Sequence, residues 1–201
     1  MIYEVVIVGA GPAGYSAAIY TARAGLSTLL FGQAEKGNLY KAHLIGNYFG
    51  VAGNPSGSSL LETAEQQLIE LKGEHRSEEI VGLTAGGDGT FELRDNSGGD
   101  WQARTVIIAT GQSYLLAGIT GEKEFIGRGV SYCVTCDGFF FKNRPVVVVG
   151  SSDYAAAEAL ELLAYTKNVT ILSHGKPPVF SPNFAEKLRQ AGIAVLTTPR
   201  F

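Results

Sequence analysis

The chain has 201 residues, 45% hydrophobic and 17% charged, enough to bury one large or two small cores. A net charge of −3 with no lysine or arginine block argues against nucleic acid or an anionic membrane as a partner. No apolar run approaches the ~20 residues that cross a bilayer.

The N-terminus, Met1-Ile2-Tyr3-Glu4, has no basic leader and reads as a first strand rather than a signal peptide, which places the protein in the cytoplasm. Residues 4–8 are a β-branched run suited to a buried parallel strand. Gly9-Ala10-Gly11-Pro12-Ala13-Gly14 follows at once, a G-x-G-x-x-G turn between that strand and a helix of small residues over 14–24. A second strand over 27–31 completes a βαβ unit, in which backbone N–H groups at the helix N-terminus can approach a pyrophosphate. The second strand ends in Phe31-Gly32-Gln33 without an acid. Glu35 is the nearest candidate for a ribose hydroxyl, and the alternative for it is a solvated charge beside Lys36.

Residues 60–72 form an amphipathic helix with Leu60, Leu61, Ala64, Leu68 and Leu71 on its apolar face. Strands over 79–84, 90–94 and 101–104, linked by glycine- and aspartate-rich turns, form a small antiparallel meander. Residues 105–111 read as a further buried strand, ending in a tight turn that can present backbone groups to a cofactor.

Cys133-Val134-Thr135-Cys136-Asp137 holds both cysteines of the chain. The spacing alone admits half a zinc site, a passive disulfide or a redox couple. Zinc needs about four ligands, and His43, His75 and His174 are scattered, so no metal is expected. A dithiol in a reducing compartment is more often catalytic than structural. Beyond it, residues 145–150 form a strand and turn, 155–164 a helix and 169–172 another strand.

From about residue 3 to 172 the chain resembles the low-molecular-weight thioredoxin reductases. The motifs are Gly9-Ala10-Gly11-Pro12-Ala13-Gly14-Tyr15, Glu35-Lys36-Gly37, Asn47, Ala109-Thr110-Gly111, Gly127-Arg128-Gly129-Val130-Ser131 and Cys133-Val134-Thr135-Cys136-Asp137-Gly138-Phe139-Phe140. The resemblance implies an α/β fold of two Rossmann-like three-layer domains. Residues 1–113 would be the N-terminal segment of a discontinuous FAD domain, and 114–201 an incomplete NADPH-type domain carrying the dithiol. It implies FAD held by Gly9, Gly11, Pro12, Ala13, Gly14, Glu35, Asn47, Ala109, Thr110 and Gly111, with Asn47 beside the isoalloxazine. It further implies that Cys136 faces the flavin, that Cys133 is the exposed thiol attacking the partner disulfide, and that Asp137 is the acid/base. Thioredoxin or a similar small protein would be the substrate, and the enzyme a homodimer.

Two departures qualify that expectation. Where the family presents G-x-G-x-x-A for NADPH, this chain has Gly150-Ser151-Ser152-Asp153-Tyr154-Ala155, and after residue 172 it has Ser173-His174-Gly175-Lys176 in place of an arginine-rich segment. Ser152 blocks close backbone approach, Asp153 adds repulsion, and one lysine cannot replace the arginine fork. NADPH is therefore a doubtful donor, and the resemblance narrows to pyridine-nucleotide-independent enzymes that take electrons from ferredoxin or a second flavin. Tyr40, Tyr48, Phe49 and Tyr154 would then stack on an isoalloxazine or fill vacated space. The second departure is that the sequence reaches Thr198-Pro199-Arg200-Phe201 without the family's final G-x-x-A-x-G-D motif, which reads as a fragment. An NADPH-dependent thioredoxin-disulfide reductase and a truncated, non-catalytic nucleotide-binding or dimerisation module are the alternatives.

Overall fold

The β-branched run at the N-terminus becomes β1, Ile2–Val8, the centre of a six-stranded sheet in a computed structural model that describes residues 1–112 and 115–197. The chain divides into two compact units, Met1–Ser113 and Tyr114–Phe201. The expected boundary at 113/114 and the terminal residues 198–201 lie outside the described residues.

In the first unit, α1 (Pro12–Arg23) connects β1 to the parallel β2 (Thr28–Phe31), with Val5 opposite Thr28 and Val8 opposite Phe31. α2 (Gly57–Glu70) starts where the Ser56 hydroxyl accepts from the Ser59 N–H, an N-cap that satisfies one orphan donor of the first turn. β3 (Glu74–Arg76) joins the edge of β2, and β4 (Ile80–Ala85), β5 (Phe91–Asp95) and β6 (Asp100–Ile108) complete the order β3-β2-β1-β6-β5-β4. Alternation along β1 builds two cores. Val5 and Ile7 pack with Tyr15, Ala18, Leu30, Leu61 and Leu68 on the helical side. Val6 packs with Leu29, Phe31, Leu93 and Ala103 on the other.

One sequence expectation is corrected here. Residues 101–104 and 105–111 do not form two strands, because β6 runs unbroken through Ile108. Its first half pairs antiparallel with β5, Phe91 opposite Ala103, while from Gln102 onward it pairs parallel with β1, from Ile2–Gln102 to Val8–Ile108. Nor is the second half buried, since Ile108 is 63% exposed. β1, satisfying it from one side, keeps residues 105–108 extended without a second cover.

The β5–β6 turn is closed by a buried carboxylate. Asp95 accepts from the Ser97 N–H and hydroxyl, the Gly99 N–H and the Trp101 indole, at 2.8–2.9 Å. The Trp101 and Ser97 bonds favour the ionised form and hold its pKa down to about 2. A depressed folded pKa contributes stability that is present above the unfolded value of about 3.9 and lost as pH falls through the folded one. Asp95→Asn is therefore expected to lower the melting temperature by several degrees at neutral pH, with the gap closing between about pH 4 and pH 2. A gap independent of pH would contradict this.

The second unit carries a parallel sheet, β7 (Val146–Val149), β8 (Val169–Leu172) and β9 (Ala194–Leu196), in the order β7-β8-β9. α3 is the short helix Val134–Asp137, α4 spans Asp153–Glu161 and α5 Pro182–Gln190. Ala156, Ala159, Leu162, Val169, Ile171, Leu188 and Ile193 form its core, and Val134 belongs to the same cluster. No helix among the described residues is long and apolar enough to cross a membrane.

Candidate functional site

The glycine turn brings several of the expected cofactor residues together. Gly9 has φ +118°, and an added Cβ would overlap the carbonyl oxygen of Ala109, so the turn lies directly against Ala109-Thr110. The Ala109 N–H donates to the Val8 carbonyl at 2.8 Å, extending the β1–β6 ladder to that point. A Cβ on Gly14 would overlap the Gly9 carbonyl oxygen, which is the close approach of helix to strand that this spacing serves. A Cβ on Gly11, by contrast, meets nothing within 4 Å. Gly11 is the N-cap of α1, no side chain caps it, and Pro12 and Ala13 open the helix. A helix start without a side-chain cap, at a glycine whose Cβ direction is open, leaves N–H groups of the first turn for an anion.

Glu35 sits in a 3-10 turn, Ala34–Lys36, and is exposed. Lys36 pairs with Glu79 at 2.8 Å rather than with Glu35. Asn38, which the sequence did not single out, donates to the Gln112 carbonyl at 2.9 Å and so ties this turn to the segment that follows Gly111. Asn47 is exposed in a loop closed by the Ile45 N–H on the Pro55 carbonyl at 2.8 Å. His75, weighed in the sequence only as a metal ligand, has a structural role instead. Its ring nitrogens contact Glu65 at 2.8 Å and the Gly32 carbonyl at 2.9 Å, pinning the end of β2 to α2.

In the second unit Cys133 and Cys136 form a disulfide, with Cα atoms 5.3 Å apart. The segment is a short helix, in which Cys133 is the N-cap of α3 and its sulfur accepts from the Cys136 N–H at 3.2 Å. Cys136 is exposed and Cys133 half-buried, the reverse of what the resemblance implies for the attacking thiol. Three contacts fix the turn. Val134 is anchored in the core, its N–H donates to Glu158 at 3.2 Å, and the Thr135 hydroxyl donates to Glu161 at 2.7 Å. Asp137 accepts from the Ser131 hydroxyl at 2.5 Å. On the N-terminal side, the Tyr132 hydroxyl donates to the buried Glu122, which also accepts from the N–H groups of Ala117, Gly118 and Ile119. Burial pushes the Glu122 carboxyl up, but the bonds from Tyr132 and these amides outweigh it and hold it below the ordinary range.

The turn after β7 is engaged by its own chain. The Asp153 carboxylate accepts from the Ser181 N–H and the Ser151 carbonyl from the Val179 N–H, each at 2.7 Å. Among the described residues there is no cluster of three or more His, Cys, Asp or Glu able to hold a metal.

The family model for pyridine nucleotide-disulphide oxidoreductase matches residues 3–201. The chain belongs to that family. A thioredoxin reductase of Peptoclostridium acidaminophilum is 40% identical over 172 residues, 85% of this chain and 54% of that protein. The crystal structure of thioredoxin reductase from Streptococcus pyogenes MGAS5005 aligns with a TM-score of 0.90 at 31% identity, over 97% of this chain and 63% of that one. An atypical thioredoxin reductase from Desulfovibrio vulgaris Hildenborough is 43% identical with a TM-score of 0.52, over 98% and 66%. The chain thus spans about half the length of the curated relatives it matches. Glu158 and Glu161, an i, i+3 pair on α4, were not singled out in the sequence. What they hold, the dithiol turn some 24–26 residues earlier, left no mark in the sequence.

Proposed function

We propose that the protein is an FAD-dependent dithiol–disulfide oxidoreductase of the thioredoxin reductase type. It would pass an electron pair through Cys136 and Cys133 to the disulfide of thioredoxin or a similar small protein. The observation that carries this reading is the Cys133–Cys136 disulfide itself, in a turn fixed by Val134, Glu158 and Glu161 and flanked by Asp137. Units 1–113 and 114–201 would be the FAD-type and pyridine-nucleotide-type domains.

The first turn fits FAD. Gly11 opens onto free space at an uncapped helix start, so Gly9, Gly11, Pro12, Ala13 and Gly14 would hold the pyrophosphate. Ala109 and Thr110 flank that turn and Gly111 follows them, and these three with Glu35 and Asn47 would complete the site, the last two at ribose and ring. Bound there, the flavin would supply the electron pair that opens the disulfide. The chain's own part is exchange: the Cys136 N–H stabilises a Cys133 thiolate, the second cysteine resolves the mixed disulfide, and Asp137 exchanges protons with the thiols.

The donor we propose is not NADPH, so the protein would be of the pyridine-nucleotide-independent kind, reduced by ferredoxin or a second flavin. Asp153 supports this doubly. It puts a carboxylate in the first turn of α4, and its bond to Ser181 keeps it there. We further assign the protein to the cytoplasm and to a homodimer. The test mixes flavin-loaded full-length chain with NADPH, NADH or reduced ferredoxin and follows flavin absorbance, then adds thioredoxin disulfide. Reduction by NADPH should be at least ~10-fold slower than by the true donor, about 1.4 kcal/mol in lost recognition. Rapid bleaching by NADPH would restore the pyridine-nucleotide-dependent reading.

A further inference from the structure

Ser131 and Asp137 bracket the dithiol in sequence, two residues before Cys133 and one after Cys136, and meet across it. The Ser131 oxygen lies 2.5 Å from Asp137 Oδ2, accepts from the Cys133 N–H at 3.1 Å, and stands 3.3 Å from the Cys133 carbonyl oxygen. We infer that Ser131 is a positioning residue that holds the Asp137 carboxyl at the backbone of Cys133 in both of its protonation states. This rests on the proposed role of Asp137 as the acid/base of disulfide exchange.

The argument is one of donor and acceptor arithmetic. A hydroxyl has one proton to give and two lone pairs to receive. With Asp137 ionised, the Ser131 proton points to Oδ2 and one lone pair takes the Cys133 N–H. With Asp137 protonated, its own O–H donates to the Ser131 oxygen, and the serine proton turns to the Cys133 carbonyl, already in reach. Each state keeps a bond between the two side chains and leaves the Cys133 N–H satisfied. An amide N–H in the same place could donate to either form but could not accept the proton of the acid, and a methyl group could do neither. Ser131 is exposed and Asp137 half-buried, so without the hydroxyl the carboxyl would be free to sample other rotamers in water.

Proton traffic of this kind is what the reaction demands. Cys133 sulfur bonds to one substrate sulfur as the substrate S–S bond breaks, and Cys136 then bonds to Cys133 as the mixed disulfide breaks. The two cysteines lose two electrons and two protons, and the substrate gains both to become a dithiol. Asp137 alternates between taking a thiol proton and giving it to a leaving thiolate, so its orientation must survive the change of charge.

The full chain, pre-reduced by a phosphine that is then removed, needs no electron donor. Its exchange with thioredoxin disulfide is followed by acid quench and mass, with the thioredoxin concentration varied. Asp137→Asn should slow the saturated rate by ~100-fold, the order expected of a general acid/base. Ser131→Ala should slow it ~10-fold with half-saturation unchanged, Ser131→Thr should recover it to within ~3-fold, and Ser131→Ala added to Asp137→Asn should cost less than ~2-fold more. If Asp137→Asn exchanges at the wild-type rate, the acid/base reading falls and the inference with it. If Asp137→Asn is slow but Ser131→Ala is not, the inference alone is wrong. An equal loss from Ser131→Ala in both backgrounds overturns it as well, since the serine would then act independently of the carboxyl.

Discussion

Cys136→Ser is expected to abolish turnover with thioredoxin disulfide, by roughly 10³-fold or more, the order of loss when one member of a nucleophilic unit is removed. The loss should not come from unfolding. Closing so short a loop contributes only about 2 kcal/mol by chain entropy, and Val134, Glu158 and Glu161 hold the turn without the sulfurs. The two cysteines separate by what accumulates. In pre-reduced Cys136→Ser, Cys133 can still attack but nothing resolves the mixed disulfide, so a covalent adduct with thioredoxin should build up and be seen by mass. Cys133→Ser should form none. The Cys136 N–H on the Cys133 sulfur favours this order, because it places a backbone donor at the sulfur that would carry the negative charge. The greater exposure of Cys136 favours the opposite one. An adduct on Cys133→Ser and none on Cys136→Ser would exchange the roles.

Gly14→Ala is expected to destabilise the first unit by about 3 kcal/mol or more and to leave the purified protein colourless. In an ordinary helix interior the same change stabilises by up to about 1 kcal/mol, so the sign is the test. Here the new Cβ would overlap the Gly9 carbonyl oxygen, and Gly9 is itself wedged against Ala109, so no backbone shift relieves the clash without opening the turn. Gly11→Ala is the counterpart. Its φ of −92° suits any residue and its Cβ points into open space. Thermal melting should barely change while flavin content falls, because the methyl occupies the room a pyrophosphate needs. If Gly11→Ala keeps full flavin, the pyrophosphate does not lie there.

The contrast between those glycines shows what the sequence disclosed. A run of β-branched residues, a G-x-G-x-x-G turn and a helix of small residues announce β1, α1 and β2 because each is determined within a few residues of itself. The union of 101–104 with 105–108 was hidden, since the partner that keeps the second half extended is β1, about a hundred residues earlier. β3 was hidden for a similar reason, as Glu74-His75-Arg76 has no apolar pattern and is a strand only beside β2. α5 was not expected, although Ser181-Pro182 stands at its start and Gly192, at φ +68°, beyond its end. At the site, the residue types at 133, 136 and 137 carry the proposed chemistry. The residues bonded to that segment, Ser131, Glu158 and Glu161, are common polar types whose contacts are visible only in three dimensions.

The unbroken course of β6 makes it a ruler between two distant fittings. One end is indexed by the hairpin that Asp95 closes, the other by the carbonyl of Ala109 against Gly9. A residue added in the 96–99 turn only lengthens the bend. A residue added within β6 would advance everything beyond it by about 3.3 Å and turn each following side chain to the opposite face. The glycine turn therefore takes its alignment from a hairpin it does not touch, and the meander, to which no chemistry is assigned, sets the tolerance to which the proposed cofactor turn is cut.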